Sequence, residues 1–558
     1  MSRFSRVALA VTVVAVCAVA LPALALAGQG GKWKLDPTIN APWAQEDGEQ
    51  SPDSALTATG LCRWSPFTSP FVYALTSNID VISGDPINNS GSSNLGCSTP
   101  QNETTVAVNP TNPLNVVAGA NDYRVCCDFT GLNDGSGWAY YSYDGGATWG
   151  NTQVPGLTAG TGGQGNFKRV DSAGDPALAF GPDGRLYYAN IVFSRVSPAN
   201  GIAVSTSDDG GATWSKPNMV SWNDAGNWFN DKEWIAAGPN GKVVVTWTKF
   251  SLGPHGAGYL ASPIVMASSK DRGKTWNRQG SPVSDASHPY DQGSIPQYDA
   301  GGTLYVAYEG ATASSGFTQD ATVVARSTND GLTFTNTEVG RVYDDFDCYP
   351  FYGGRQTLTG EHFRLNSFPS FSVDQVTGGL AIVWADNQGV GNCGTGSPSF
   401  SGTTNASVKL VTSANGTAFT APLTLGAGDV VFPAVAAANG KTAVSYYTRA
   451  YSGTHAAATC NVRTGVGGPL VPPVVVGSSV CLDYAARSSS DGFASELRLS
   501  TEGSNPYVQF ANGGFIGDYS GIALTPDGGT AFPVWTDFRG RPGTTSANQD
   551  VYVQPFTP

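Results

Sequence analysis

Two carboxylic acids flank a lysine in the segment Asn230-Asp231-Lys232-Glu233-Trp234, directly before an apolar run. Neighbouring carboxyl groups can act as a proton donor and a proton acceptor when burial and a nearby cation separate their pKa values. Asp231 and Glu233 are therefore candidate catalytic residues. The alternative is a solvated rim in which Lys232 simply pairs with Glu233.

Three arginines stand at matching places, each shortly after a predicted strand: Arg124, Arg449 and Arg539. Guanidinium groups bind carboxylates in a bidentate manner, so three converging arginines would form a clamp for an anionic substrate. The alternative is that the arginines form surface or rim salt bridges with Asp122, Asp386 or Asp537.

Further acidic residues precede predicted strands and are candidate substrate-binding groups: Glu103, Asp175 and Asp518. Together with Asp231 they could hold calcium through oxygen ligands, but no calcium-loop spacing supports this. The 4 histidines form no close pair, and no HExxH, GxSxG or phosphate-loop motif occurs. We therefore predict no cofactor, with calcium as the alternative.

An octapeptide repeat indicates the elements that position these residues. It occurs in full at Ser142–Trp149, Ser207–Trp214 and Ser269–Trp276, and in altered form at Ser327–Phe334 and Thr412–Phe419. Its Asp can bond its own backbone through a turn, its Gly supplies positive φ and its aromatic residue can pack beneath the turn. A period of this length predicts an array of similar sheets.

A second repeat, a strand followed by a Gly or Asn turn and a Val-, Tyr- and Trp-rich strand, occurs seven times between Thr104 and Trp535. It predicts an all-β fold, a seven-bladed β-propeller of four-stranded antiparallel blades. Six blades are the alternative. The last blade lacks one strand, and residues 74–83 could supply it and so close the ring.

Antiparallel pairing places the octapeptide turns on one face of such a propeller and the starts of the innermost strands on the other. The acidic candidates and the arginines therefore share a rim around the central channel, opposite the turns. That rim is where a propeller would hold a ligand.

The octapeptide is the Asp box, and through it the chain resembles the sialidase-like, BNR-repeat β-propeller proteins. The segment Asp518-Tyr519-Ser520-Gly521 resembles the family's nucleophile segment. The resemblance implies that Tyr519 is a catalytic nucleophile, which in this family is activated by a glutamate that acts as the base. The family's Arg-Ile-Pro element is missing near the first inner strand, where Glu103 stands instead.

Two long inserts, residues 342–367 and 387–407, fall on the predicted ligand face. The first carries Tyr349 and Tyr352, which are candidate stacking surfaces for a sugar. Each insert contains one cysteine, so we predict a Cys348–Cys393 disulfide, with Cys460–Cys481 as a local pair. The pairing of Cys62, Cys97, Cys126 and Cys127 stays open.

Arg3 and Arg6 followed by an apolar run that closes on Ala25-Leu26-Ala27 predict a signal peptide over residues 1–27. Residues 28–77 form an irregular segment and residues 78–558 the propeller. The even number of cysteines left after cleavage fits a secreted, periplasmic or extracellular protein. A formal charge of -13 argues against a nucleic-acid partner, and we expect a monomer with no membrane insertion after cleavage.

These features lead to an expected function, a glycoside hydrolase acting on an extracellular glycan, with a polysaccharide lyase as a less favoured chemistry. The alternative is a non-catalytic propeller that binds glycan or protein, or an envelope scaffold. A fold of this kind hosts many activities, so the activity depends on the site.

Overall fold

The computed structural model describes residues 71–72, 78–82, 100–126, 129, 133–253, 259–316, 319–343, 351–352, 355–358, 361, 363–387, 404–426, 428–451, 481–503, 506, 515–538 and 549–558. The predicted signal peptide lies outside these residues. None of the helical segments in these ranges has the length and hydropathy of a membrane-spanning helix.

The chain folds into seven antiparallel sheets, the blades of a β-propeller. Blade 1 comprises β3 (Gln101–Val108), β4 (Val116–Cys126), β5 (Asn133–Ser142) and β6 (Thr148–Gln153), with β1 (Phe71–Val72) outermost. Blade 2 comprises β7 (Ser172–Phe180), β8 (Leu186–Phe193), β9 (Asn200–Ser207) and β10 (Asn218–Asn223). Blade 3 comprises β11 (Trp228–Ala237), β12 (Val243–Leu252), β14 (Ile264–Ser269) and β15 (Asn277–Pro282), with β13 (Tyr259–Ala261) beside β12.

Blade 4 comprises β16 (Asp291–Tyr298), β17 (Leu304–Ala311), β18 (Asp320–Ser327) and β19 (Thr335–Val342), and blade 5 comprises β22 (Ser370–Val373), β23 (Leu380–Asp386), β24 (Ser407–Ser413) and β25 (Leu423–Leu425). Blade 6 comprises β26 (Val430–Ala438), β27 (Lys441–Thr448), β28 (Asp483–Ser488) and β29 (Leu497–Arg498). Blade 7 comprises β30 (Gly521–Leu524), β31 (Ala531–Asp537), β32 (Asp550–Val553) and β2 (Ile79–Asp80). A separate hairpin joins β20 (Phe351–Tyr352) to β21 (Arg355–Gln356). Short 3-10 turns cover Gly165–Arg169, Pro239–Gly241, Ala313–Ser315 and Ser489–Asp491.

The first strand of each blade is the innermost one, and it contacts the first strands of both neighbouring blades, including β30 against β3. The ring is closed by the N-terminal strand β2, in which Ile79 pairs with Val553 and Asp80 with Tyr552. The prediction of seven blades with an N-terminal closing strand is thus confirmed, and the six-bladed alternative is wrong. Closure pairs the edge that the last blade would otherwise expose.

The hydrophobic core lies between adjacent blades. Trp247, Trp384 and Trp535 stand on the second strands of blades 3, 5 and 7, and each is at most 1% exposed. Between blades 2 and 3, for example, Trp247 packs with Tyr187, Phe193 and Phe229. Broad side chains on the second strands fill the wedge between neighbouring sheets, as their composition predicts.

The octapeptide turns join the third and fourth strands of blades 1 to 5. In the first, Ser142 Oγ accepts a hydrogen bond from Gly146 N at 2.8 Å and Asp144 Oδ1 accepts one from Thr148 N at 2.8 Å. In the fifth, Ser413 Oγ accepts from Gly416 N at 2.9 Å and Asn415 Oδ1 accepts from Ala418 N at 3.0 Å, so both acceptors lie one residue later than the sequence alignment predicts. The turn chemistry therefore survives a one-residue shift in its register.

Candidate functional site

The innermost strands bulge near their starts, on the face opposite the octapeptide turns. Glu103, Asp175 and Lys232 occupy this bulge in blades 1, 2 and 3 with φ of 55°, 51° and 50°. Left-handed backbone costs a non-glycine residue about 1–3 kcal/mol. Blade 4 has a glycine at the same place, Gly293. Three successive blades thus accept strain that glycine would relieve, and each presents a charged side chain.

These side chains meet at the propeller axis around Lys232. Its ammonium lies 3.1 Å from Glu103 Oε1, 3.1 Å from Asp175 Oδ2 and 2.8 Å from Asp518 Oδ2. Each of the four side chains is at most 5% exposed. Burial lowers the pKa of Lys232, but the three acids outweigh burial and raise it well above its ordinary value. Lys232 is therefore a fixed cation and not a nucleophile or base. We call Glu103, Asp175, Lys232, Glu233, Asp518 and Tyr519 the axial cluster.

Asp518 has a second cationic partner that comes from the insert before blade 5. Arg364 Nε donates to Asp518 Oδ1 at 2.7 Å, and its Nη2 donates to the other carboxylate oxygen. Burial opposes ionisation of Asp518, yet Arg364 and Lys232 hold its pKa below the ordinary value. Asp518 is thus a permanent carboxylate at neutral pH.

Glu233 has the opposite electrostatic character. Burial, followed by the negative charge of Asp175, raises its pKa well above the ordinary value. Neither carboxyl oxygen has a hydrogen-bond partner among the described residues. Burial therefore favours the protonated form of Glu233. Asp231 adds to this shift and accepts a hydrogen bond of 3.4 Å from Gln292.

Tyr519 completes the axial cluster. Burial and the charges of Glu103 and Asp175 raise its pKa well above its ordinary value, so it is a neutral phenol. Its hydroxyl has no hydrogen-bond partner within the described parts of the chain. The ring packs edge-on against Trp234 at 5.2 Å between centroids, which fixes its orientation.

The predicted arginine clamp is engaged in ion pairs where the structure describes it. Arg124 Nη2 contacts Asp122 Oδ2 at 2.6 Å, and the guanidinium lies 4.1 Å from the centre of the Trp138 ring. The Asp122 carboxylate also accepts a hydrogen bond of 2.8 Å from Tyr140. Asp122 is the partner that the alternative interpretation of Arg124 anticipates.

Arg449 pairs with Asp429 and Glu361, each at 2.8 Å, and neither residue is among the aspartates considered from sequence. Burial raises the pKa of Glu361 to about 8, although Arg449 acts in the opposite direction. Both described arginines are thus already bound to carboxylates.

Several predicted residues lie outside the described residues: Arg539, Tyr349, Cys348, Cys393 and Cys460. Tyr352 lies in β20. Cys481 is disulfide-bonded, while its pairing with Cys460 stays a prediction. No group of three or more His, Cys, Asp or Glu residues in the described ranges has an arrangement that suits a metal ion. Three of the four acids considered for calcium instead surround the Lys232 ammonium.

Sequence reasoning treated Lys232 only as a cation beside two acids and Arg364 only as part of an insert. Lys232 is 57 positions away from Asp175 in the sequence and 129 positions away from Glu103. Arg364 is 154 positions away from its partner Asp518. A signal for Lys232 exists in the sequence, because it occupies the place that Glu103 and Asp175 occupy in the preceding blades.

No protein-family model matches the chain, and no curated protein matches it. Similar solved structures include a protein of unknown function from Dyadobacter fermentans, with 14% identity over 67% of this chain and 94% of that one and a TM-score of 0.40. Others are Hadza microbial sialidase Hz136, with 13% identity, 79% and 73% coverage and a TM-score of 0.40, and a Penicillium chrysogenum α-L-arabinanase, with 13% identity, 68% and 92% coverage and a TM-score of 0.37. Similarity at such identities does not extend to activity.

Proposed function

We propose that this protein is an exported glycoside hydrolase that cleaves an extracellular glycan at the axial cluster. The observation that carries the proposal is the unequal protonation of neighbouring acids. Burial favours the protonated form of Glu233, while Lys232 and Arg364 hold Asp518 ionised. Glycosidic bonds are broken by a proton donor that acts together with a nucleophile or base. Residues 1–27 and the disulfide at Cys481 support export.

The side chains suit a retaining reaction. Tyr519 attacks the anomeric carbon, and its phenolic proton passes to Glu103 or Asp175, the acids whose charges act on it. Glu233 protonates the departing glycosidic oxygen, and the charge of Asp231 keeps that proton in place beforehand. Water then cleaves the sugar–Tyr519 bond and returns its proton to Glu233, while the phenolate recovers the first proton. A tyrosine nucleophile suits a substrate that carries a carboxylate, because an anionic nucleophile would be repelled.

The test is release of reducing sugar from a panel of neutral and anionic glycans. We expect Tyr519→Phe and Glu233→Gln each to lower the rate about 100-fold or more, because each removes a group that handles a proton in the reaction. Tyr143→Phe is the matched control, since Tyr143 is 48% exposed on the octapeptide-turn face. A panel that wild type leaves intact, or equal rates in all variants, contradicts the proposal.

A second candidate is a binding propeller without chemistry, for glycan or protein. The saturation of the charged groups favours it, since Lys232, Arg124 and Arg449 all carry carboxylate partners already. Retention on a glycan array by wild type with no turnover would support this candidate. Co-purifying envelope proteins without glycan retention would instead indicate a scaffold.

A further inference from the structure

A cavity of about 590 Å³ runs between the innermost strands, from Lys232 and Tyr519 to the turns that follow those strands. It therefore extends toward the octapeptide-turn face, away from the face where the substrate candidates were predicted. Small-molecule sites in proteins have volumes of this size, are mostly apolar and contain a few polar groups. The cavity is separate from the arginine rim, but it shares Lys232 and Tyr519 with the axial cluster.

The outer end of the cavity is lined by four prolines, each in the turn after an innermost strand: Pro110, Pro182, Pro239 and Pro526. A proline ring fixes φ and offers no N–H, so this end is stiff and apolar. Val376 belongs to the same lining and is 68% exposed, which places this end at the protein surface. Apolar surface exposed around a preformed opening is typical of a binding site.

The inner end is aromatic. The rings of Trp234 and Tyr519 meet edge-on there, and Phe368 lines the same space. Phe368 fits only because residue 293 is glycine, since a Cβ at Gly293 would lie 2.5 Å from Phe368 Cγ. All three aromatic side chains are partly exposed. Their rings can therefore contact the flat face or edge of an aromatic ligand.

The charged and polar groups in the lining already have partners. Lys232 is bound by three acids, and Asp374 accepts hydrogen bonds from Gly440 N at 2.6 Å and Val376 N at 2.8 Å. Ser370 and Ser372 likewise accept from Val435 N and Ala437 N. An ionic ligand would have to lose its hydration without gaining a free counter-charge, which is costly. The lining therefore selects neutral molecules.

From this combination we propose that the axial cavity is a binding site for a neutral, mostly apolar small molecule with an aromatic ring. The ring sits against Trp234, Phe368 and Tyr519, and the rest of the molecule lies along the small side chains of the innermost strands. Entry is between the proline-bearing turns. Binding at this site does not depend on glycan cleavage.

The test uses two fluorescent probes that share a naphthyl–phenylamine body, neutral N-phenyl-1-naphthylamine and anionic 8-anilinonaphthalene-1-sulfonate. We expect saturable binding of the neutral probe at one site. Its affinity should be at least about tenfold higher than that of the anionic probe, because only the anionic probe must bury a charge. Ala237 and Ala523 line the cavity. Replacing either with leucine fills part of the cavity and should lower the affinity for the neutral probe by about tenfold or more. Ala147→Leu, in an octapeptide turn outside the cavity, is the matched control.

Near-UV circular dichroism shows whether Ala237→Leu and Ala523→Leu, the filled variants, keep the native fold. Probe binding is then compared in a variant that keeps it. If both lose the fold, the decision passes to competition in wild type, where neutral aromatic compounds should displace the probe and a panel of their anionic analogues should not. Equal binding of both probes, equal binding in filled and control variants, or no saturable binding overturns the proposal.

Discussion

Replacing Lys232 with methionine should destabilise the propeller more than the loss of any exposed ion pair. The substitution keeps an unbranched chain as far as Cε but removes the ammonium that Glu103, Asp175 and Asp518 share. Arg364 would remain as a counter-charge for Asp518 alone. Glu103 and Asp175 would then be buried beside each other without their cation.

The expected cost follows from burial. Removing one partner of a buried ion pair costs about 3–5 kcal/mol, because the remaining charge stays desolvated. Lys232 has three such partners, so we expect a loss of at least about 3 kcal/mol in the free energy of unfolding at pH 7. The backbone strain at φ 50° is unchanged in this variant, so it does not offset the loss.

The assay is urea unfolding followed by tryptophan fluorescence, with Lys270→Met as the matched control. Lys270 lies 2.8 Å from Asp330, the same distance as Lys232 from Asp518, but it is 67% exposed. An exposed pair contributes about 1 kcal/mol or less, so the control should unfold close to wild type. The two substitutions are chemically identical and differ in burial.

The stability of the two proteins, wild type and Lys232→Met, should also depend differently on pH. The depressed pKa of Asp518 contributes stability above its unfolded value of 3.8, and that contribution is lost as the pH falls toward the folded pKa. The gap between wild type and Lys232→Met should therefore narrow at acidic pH, and Glu103→Gln should restore part of the stability of the variant at pH 7. A Lys232→Met protein within about 1 kcal/mol of wild type at pH 7 would refute the reasoning, since that is the value of an exposed pair.

Two further predictions concern stability. Glu233→Gln should be more stable than wild type above pH 4.5, the ordinary pKa of a glutamic acid, because unfolding lets wild-type Glu233 ionise; the difference should grow by about 1.4 kcal/mol per pH unit until the folded pKa is reached. Urea midpoints from pH 4 to 8 check this, and a difference that does not change with pH speaks against a neutral Glu233. Ile79→Ala should cost about 2–5 kcal/mol, since Ile79 is 1% exposed in the strand that closes the ring. Val196→Ala, at a residue 59% exposed, should change stability by less than about 0.5 kcal/mol, and equal effects of the two changes in urea unfolding would argue against β2 as a closing strand.

The blades could be predicted from sequence because their signals are local. The alternation of each innermost and second strand, and the turn residues between them, lie within short stretches of chain. The octapeptide turns make nearly the same hydrogen bonds in the first four copies, for example Thr213 N to Asp209 at 2.9 Å. The closing strand could also be predicted, by counting the strands of each blade, because the sequence around blade 7 supplies only three of its four strands.

The partners of the charged residues could not be predicted in the same way. Arg449 has Asp429 and Glu361 as partners, and Glu361 is 88 positions away in the sequence. A guanidinium or ammonium group attracts every carboxylate with nearly the same chemistry. Which carboxylate pairs with a given cation depends on which side chains lie within about 4 Å of it. The positions of the first residues of the innermost strands, and so these distances, are set by the whole ring.

The sequence by itself determined the all-β architecture, the number of blades and the face on which the acidic residues gather, because hydrogen bonding in turns and the burial of alternate residues act over a few positions. The tertiary structure alone decided that Lys232 binds Glu103, Asp175 and Asp518 and that burial raises the pKa of Glu233. These outcomes depend on burial and on distances between four blades, and both exist only after the ring has closed.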